Sequence, residues 1–332
     1  MTAPPRAWEI TEIKLVAIVK AGSDRIIWSW EGQEVRVGYD RLGAGPTVLL
    51  LPALSSISTR REMSPLQERL ASDYATVAID WPGFGDEPRP PVSWQPAAYT
   101  TFLHYVLTHT ATHPLATVAA GHAASYALSV AAASPNSAGM LCLIAPTWRG
   151  PLPTMMGGRR RLGELIARAS DLPVLGQLLY RLNVNPAMVR MMARGHVYAD
   201  PDWLTGERFT QKMAVVSGAG ARHAAVRFVT GMLDPMPNHS LFMETATRVK
   251  DPILVVYGAA TPKRSKAEME TLASVPHVRS VVLSHGKLAV HEEFPDAVAE
   301  VVRSFLRRDA VVSQLTDENM GSARTEVSPR NA

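Results

Sequence analysis

The sequence predicts an α/β fold in which a mostly parallel central sheet carries helices on both faces and a helical cap is inserted late in the strand order. Three observations support this class. Near-continuous apolar runs, suited to strands covered on both faces, alternate with stretches of helical spacing. The chain opens with a hairpin pattern rather than with a strand-helix unit. The interval from Trp148 to Lys250 holds no strand-like run of comparable strength, yet strands resume after it.

Taken in order, residues 1–24 read as an N-terminal extension. Arg25 to Tyr39, RIIWSWEGQEVRVGY, sets two aromatic and β-branched runs about a Glu-Gly turn, the pattern of an antiparallel hairpin. After the turn from Gly43 to Pro46, TVLLLPAL is almost wholly apolar and predicts a buried strand. ATVAID (75–80), ATVAAG (116–121) and MLCLIAP (140–146) repeat that pattern, separated by helical spacing at 61–71, 98–109 and 124–134. The alternation returns with DPILVVYG (251–258), a helix from Ser265 to about Ser274, VRSVVLSHG (278–286) and a closing helix from Pro295 to Arg307. Core segments 25–147 and 251–308 thus flank a cap at 148–250, rich in Met, Leu and Arg. The polar stretch 309–332 has no periodic apolar face and predicts a disordered tail.

The 332 residues are 46% hydrophobic and 19% charged, an ordinary globular balance. A formal charge of +4, with basic residues grouped locally as at Arg159, Arg160 and Arg161, calls for no nucleic-acid surface. Cys142 is the only cysteine, which excludes an internal disulfide and a cysteine metal cluster. The start, MTAPPRAWEITEIK, lacks a basic-then-apolar signal pattern, and no apolar run reaches the roughly 20 residues of a membrane span. The expectation is a cytoplasmic protein without a transmembrane segment. No glycine-rich phosphate loop, metal-ligand cluster or dinucleotide fingerprint appears, so neither a cofactor nor a metal is expected.

Four stretches resemble the α/β-hydrolase superfamily over roughly residues 25–308. GAGPTVLLLPAL is similar to its strand leading into the oxyanion loop, VAIDWPGFGDEPRP to its Asp-x-Pro-Gly-x-Gly turn, VAAGHAAS to its nucleophile elbow and HEEFPDAVAEVVRSFL to its closing helix. The resemblance implies the α/β-hydrolase fold and a Ser, acid and His in that chain order, the Ser lifted on a Gly-x-Ser-x-Gly turn. This chain departs from that pattern at each position. The elbow is Gly121-His122-Ala123-Ala124-Ser125, so Ala123 stands in the nucleophile's place, and a methyl group cannot attack a carbonyl. The turn that resembles the acid's is Gly258-Ala259-Ala260-Thr261, and threonine holds no charge against an imidazolium. Counting back from His291 puts the base's place at Leu288. The oxyanion loop reads Pro52-Ala53 where the family has His-Gly, and proline has no N–H to offer, leaving amides such as that of Leu54.

Several residues can still carry chemistry. His122 follows its strand directly and titrates near neutral pH, or packs beneath the turn as the resemblance implies. His285 lies in the loop that should deliver the base, and His291 begins a helix. Asp80 stands at the end of a strand where open sheets bind ligands, or else fixes its own loop. Leu54, Ser55 and Ser56 follow the first parallel strand, where the hydroxyls bind a polar ligand group or satisfy turn amides. Trp148 and Arg149, at the junction of core and cap, either hold a carboxylate or phosphate or pin the cap to an acidic residue. Glu292 and Glu293 read as first-turn residues that complement the helix dipole. Met155, Met156, Met188, Met191, Met192 and Met213, with Leu178, Leu179, Tyr180 and Leu182, suit a bulky apolar ligand or simply pack on the core.

These features favour a capped, largely apolar pocket for a small lipophilic molecule, used for non-covalent acid/base chemistry of lyase, isomerase or cyclisation type, or for binding alone. Two alternatives stand beside it. One is a hydrolase of an ester or related bond whose nucleophile has moved to Ser125 or Ser55, served by His285 or His291. The other is a non-catalytic scaffold for a protein partner.

Overall fold

Strands whose residues are apolar one after another must be covered on both faces, and the described residues, 22–156 and 160–308 of a computed structural model, fold that way. They form one eight-stranded sheet in the order β1-β2-β4-β3-β5-β6-β7-β8. The strands are β1 Gly22–Trp30, β2 Gln33–Leu42, β3 Thr47–Leu51, β4 Ala75–Ile79, β5 Ala116–Ala120, β6 Met140–Ile144, β7 Ile253–Gly258 and β8 Val278–Leu283. The expected hairpin is β1 and β2, antiparallel, turning on Glu31 and Gly32, both with positive φ. From β4 to β8 all pairings are parallel. Alternate residues of the buried strands feed opposite cores: Leu49, Leu51, Leu141 and Leu143 one side, Val48, Leu50, Cys142 and Ile144 the other.

Helices α1 Ser64–Leu70, α2 Pro96–His109, α3 Ala123–Ala133, α11 Lys263–Ala273, α12 Val290–Glu293 and α13 (295–308) complete the α/β body. The single helix expected at 61–71 is instead a 3₁₀ turn, Arg60–Met63, followed by α1, because Pro65 starts a new first turn. Between β6 and β7 the chain is helical: α4 Pro151–Met156, α5 Arg160–Asp171, α6 Pro173–Asn183, α7 Pro186–Met192, a π-helical turn Ala193–Val197, α8 Gly206–Ser217, α9 Ala221–Val229 and α10 His239–Arg248. The first strand begins at Gly22, three residues before the expected boundary. The rest of the N-terminal extension and the tail at 309–332 lie outside the described residues.

The strand order fixes where a site can form. After β3 the chain steps outward to β4, then crosses back to β5 on the other side of β3, and the carboxyl ends of β3 and β5 at such a reversal are where open sheets place their sites. Arg60 holds one side of this reversal. Its backbone N–H and guanidinium both donate to Asp80 at the end of β4, and the guanidinium also reaches Asp40 at 3.0 Å and Asp86 at 2.6 Å. Burial pushes the Asp80 carboxyl up to about 6, the Arg60 charge pulling the other way, so it remains ionised at neutral pH. Replacing Arg60 by Met strands a buried carboxylate and is expected to cost about 3–5 kcal/mol in urea unfolding. The Arg60→Met/Asp80→Asn double variant should recover part of that loss, whereas a single variant within about 1 kcal/mol of the native chain would show that the network bears no weight.

Candidate functional site

At this reversal of strand order the loop after β3 meets the turn after β5. Gly121 is left-handed (φ 52°), and a Cβ there would lie 3.1 Å from that of Ala53, so glycine lets the two loops close on each other. His122 already has helical backbone angles, and Ala123 is the first residue of α3. The four non-glycine residues with positive φ are, among the described residues, Glu31, His113, Asn136 and Ala145, so the turn carries no strained residue at 123. A nucleophile elbow presents its side chain from a left-handed residue between strand and helix; here that residue is Gly121, directly after β5, rather than the expected Ala123, which already lies in the helix. The Ala123 methyl is fully buried in the core, the Ala124 amide bonds the Gly121 carbonyl, and the Ser125 hydroxyl donates to the His122 carbonyl at 2.8 Å.

The other side of this junction is polar and buried. Glu62, at the end of the 3₁₀ turn, accepts the Ala53 N–H at 2.7 Å, so an amide of the β3 loop faces a carboxylate rather than an open cavity. His291 of α12 brings Nε2 to 3.7 Å from Glu62, and neither ring nitrogen has a hydrogen-bond partner. Lys212 of α8 sets its ammonium 3.7 Å from Glu62 and 3.2 Å from Glu292, and the Tyr198 hydroxyl donates to Glu292 at 2.9 Å. Burial pushes the Glu62 carboxyl up, but the His291 ring, the Lys212 charge and Ser58 outweigh it and hold the group below the ordinary range. Burial likewise opposes the Lys212 cation, and Glu292 and Glu62 more than restore it. Glu62, His291 and Glu292 offer ligand atoms within 4.8 Å of one another, the donor set of a cation site, but the Lys212 ammonium already supplies positive charge between the two carboxylates.

The residues singled out from sequence are scattered around this junction rather than gathered in it. His122 is buried, with Nε2 3.3 Å from the Leu233 carbonyl and 3.4 Å from Asp234, and its ring packs edge-on to Phe228. Burial drives its pKa down to about 4, the Leu233 hydrogen bond opposing, so the ring is neutral at pH 7. Asp80 is committed to Arg60. His285 is exposed at the end of β8, bonded to Ser284 at 2.8 Å and lying against Phe294. Thr261 is buried with an unpartnered hydroxyl, and Leu288 packs on the core. Leu54 is fully buried; Ser55 turns back to the Ile57 amide at 3.5 Å, and Ser56 is half-buried beside it. Trp148 stacks on Phe242, while Arg149 covers the Trp148 ring and donates to Glu268 of α11 at 2.9 Å, the pinning alternative rather than an open anion site.

Glu292 and Glu293 do more than complement a helix dipole. Glu293 accepts the amides of Ala199 and Asp200 at 2.8–2.9 Å, Lys287 donates to the Arg194 carbonyl and Ala289 to that of Val197, so the segment from the π-helical turn to residue 200 is stitched to the loop before the last helix. Glu62 and Lys212 were not legible as site residues. Glu62 sits in a stretch of helical spacing and Lys212 150 positions later, and only the fold brings them together.

The alpha/beta hydrolase family profile matches residues 48–301, and the chain belongs to that family. No curated protein matches the sequence significantly. Among solved structures, a thermophilic esterase from Thermogutta terrifontis is 18% identical (TM-score 0.66), covering 86% of this chain and 98% of its own. An enol-lactonase from Burkholderia xenovorans is 15% identical (TM-score 0.63; 82% and 97% covered), and a haloalkane dehalogenase variant from Agrobacterium tumefaciens 14% identical (TM-score 0.66; 86% and 97% covered). At these identities the likeness is one of fold.

A buried histidine with a lowered pKa takes up its proton more readily in the unfolded chain. Between about pH 6.5 and 4, therefore, acidification favours unfolding, by about 3 kcal/mol in total for a shift of this size. The contribution of Asp80 has the opposite sign over its own range and is common to both proteins in a comparison of the native chain with His122→Asn. The variant is expected to lose less stability than the native chain between pH 7 and 4.5 in urea titrations. Parallel losses would mean that His122 is not held neutral.

Proposed function

We propose that this protein handles a small, largely apolar molecule without a covalent enzyme intermediate, by proton-transfer chemistry of lyase, isomerase or cyclisation type or by binding alone. The observation that carries this reading is the turn after β5: neither its left-handed residue, Gly121, nor Ala123 at the start of α3 has a nucleophilic atom. Two further contacts support it. Ser125, the nearest hydroxyl in sequence, is spent on the His122 carbonyl, and the Ala53 amide is spent on Glu62.

The acid/base work is assigned to Glu62 and His291 rather than to His285, His122 or Asp80. An ionised carboxylate beside an imidazole with both nitrogens free of hydrogen bonds is a pair able to take a proton and return it, and Lys212 balances the charge. Residues 148–250 serve as a cap in this reading, since Tyr198, Ala199 and Lys212 fasten them to the loops that carry Glu62 and Glu292. A further consequence concerns restoration: a serine at 123 regains the hydroxyl but not the strained presentation.

Purified native chain and the Ala123→Ser variant should both fail to label with a fluorophosphonate probe and to turn over a panel of esters. Intact-mass detection of one labelled serine in the native chain would overturn the proposal and name the relocated nucleophile. Labelling that appears only in Ala123→Ser would show that the elbow retains its presenting geometry, contrary to the argument from backbone strain.

A further inference from the structure

We propose that the outer face of α5, α6 and α7 is a docking surface for an anionic lipid bilayer. A helix on the surface of a globular protein buries its apolar stripe and exposes its polar one. These three helices bury apolar residues such as Ala167, Tyr180 and Val189 on their inner sides but leave further large apolar side chains exposed. Of the nine large apolar side chains that are well exposed among the described residues, seven lie between positions 165 and 191. Val174 is 83% exposed and Leu165 65%, values that a solvated helix face does not ordinarily tolerate in series.

The periodicity shows that this is a face and not scatter. On α5, Leu165 and Arg168 fall at i and i+3, with Leu172 exposed just past the helix end, while Gly163, Ala167 and Ser170 on the opposite side are buried. On α6, Val174, Leu178 and Arg181 fall at i, i+4 and i+7, opposite buried Gly176 and Tyr180. On α7, Met188 and Met191 are exposed together on one side, while Arg190 lies on another, its guanidinium over the Phe209 ring of α8. The inner sides are pinned: the Tyr180 hydroxyl donates to the Val216 carbonyl of α8, Arg222 of α9 donates to the Ser170 carbonyl and to Gln177, and Arg227 of α9 holds Asp171. Since α5 packs against both α6 and α9, the inner anchoring leaves the apolar sides turned outward together.

Charge selects the occupant. From 160 to 192 the sequence holds five arginines against Glu164 and Asp171, and Asp171 is already paired with Arg227. Exposed Arg168 and Arg181 are interleaved with the apolar side chains of α5 and α6, an arrangement in which long cationic stems reach up to lipid phosphates while Leu and Val enter the acyl boundary. None of the described helices is long and apolar enough to cross a membrane, so attachment would be peripheral.

The test is co-sedimentation of the full chain with vesicles of phosphatidylcholine alone or with about 30% phosphatidylglycerol at physiological salt. The native chain is expected to pellet with the mixed vesicles and to remain in solution with phosphatidylcholine alone. Leu165→Ser/Val174→Ser/Leu178→Ser and, separately, Arg168→Gln/Arg181→Gln should each weaken binding at least tenfold. Unchanged circular dichroism and melting would show that both variants fold, as exposed positions predict. The proposal is overturned if native chain ignores both vesicle types, or if the serine variant binds as well as native. It is equally overturned if light scattering finds a dimer that the serine variant dissolves, which would make the occupant a second copy.

Discussion

A carboxylate removed from water must find compensating charge and hydrogen bonds, and the arrangement at the centre of this molecule follows from satisfying one such group. Glu62 is buried where the sheet reverses its strand order, and it finds its partners in three separate parts of the chain: the Ala53 amide and Ser58 in the loop after β3, His291 before the closing helix and Lys212 in the segment between β6 and β7. Each of those partners is thereby fixed relative to the others. The loop after β3 cannot swing away without exposing the acid to an unpaired state, and α8 cannot lift without taking Lys212 from two carboxylates.

The same economy of polar groups accounts for what has become of the elbow. Elsewhere in the fold a strained turn is maintained because it lifts a reacting atom above the sheet. Here neither the left-handed residue nor residue 123 has a nucleophilic atom. The chain places its left-handed residue at Gly121, where glycine adopts it without penalty and where the close approach of Ala53 demands a missing side chain. The family's sheet, crossover and closing helix are kept, since these depend on apolar strands and their order.

The helices between β6 and β7 join two kinds of surface. Toward the sheet they present Tyr198, Lys212 and the amides of Ala199 and Asp200, all engaged by Glu62, Glu292 and Glu293. Away from it they present Leu, Val and Met among arginines. A segment fastened by buried charge on one side and apolar on the other is suited to stand between an aqueous body and a less polar phase, which is where a lipophilic ligand would be met.

The order of strands and helices was legible because burial on both faces leaves a run of apolar residues that no other environment requires, as in TVLLL and MLCLI, and because a Glu-Gly turn between β-branched runs has few other uses. The absence of a hydroxyl at 123 was equally plain, being a matter of composition at one position. The backbone state of that position was not, since φ at the elbow is set by how closely two loops approach, and nothing local to Gly121-His122-Ala123 encodes the place of Ala53. Nor could spacing reveal that Glu62, Lys212 and His291 converge, that Asp80 serves Arg60, or that Leu178, Met188 and Met191 face outward. Periodicity tells which residues share a face of a helix. Whether that face turns toward the core or away from it is decided only when tertiary packing supplies, or withholds, a surface to cover it.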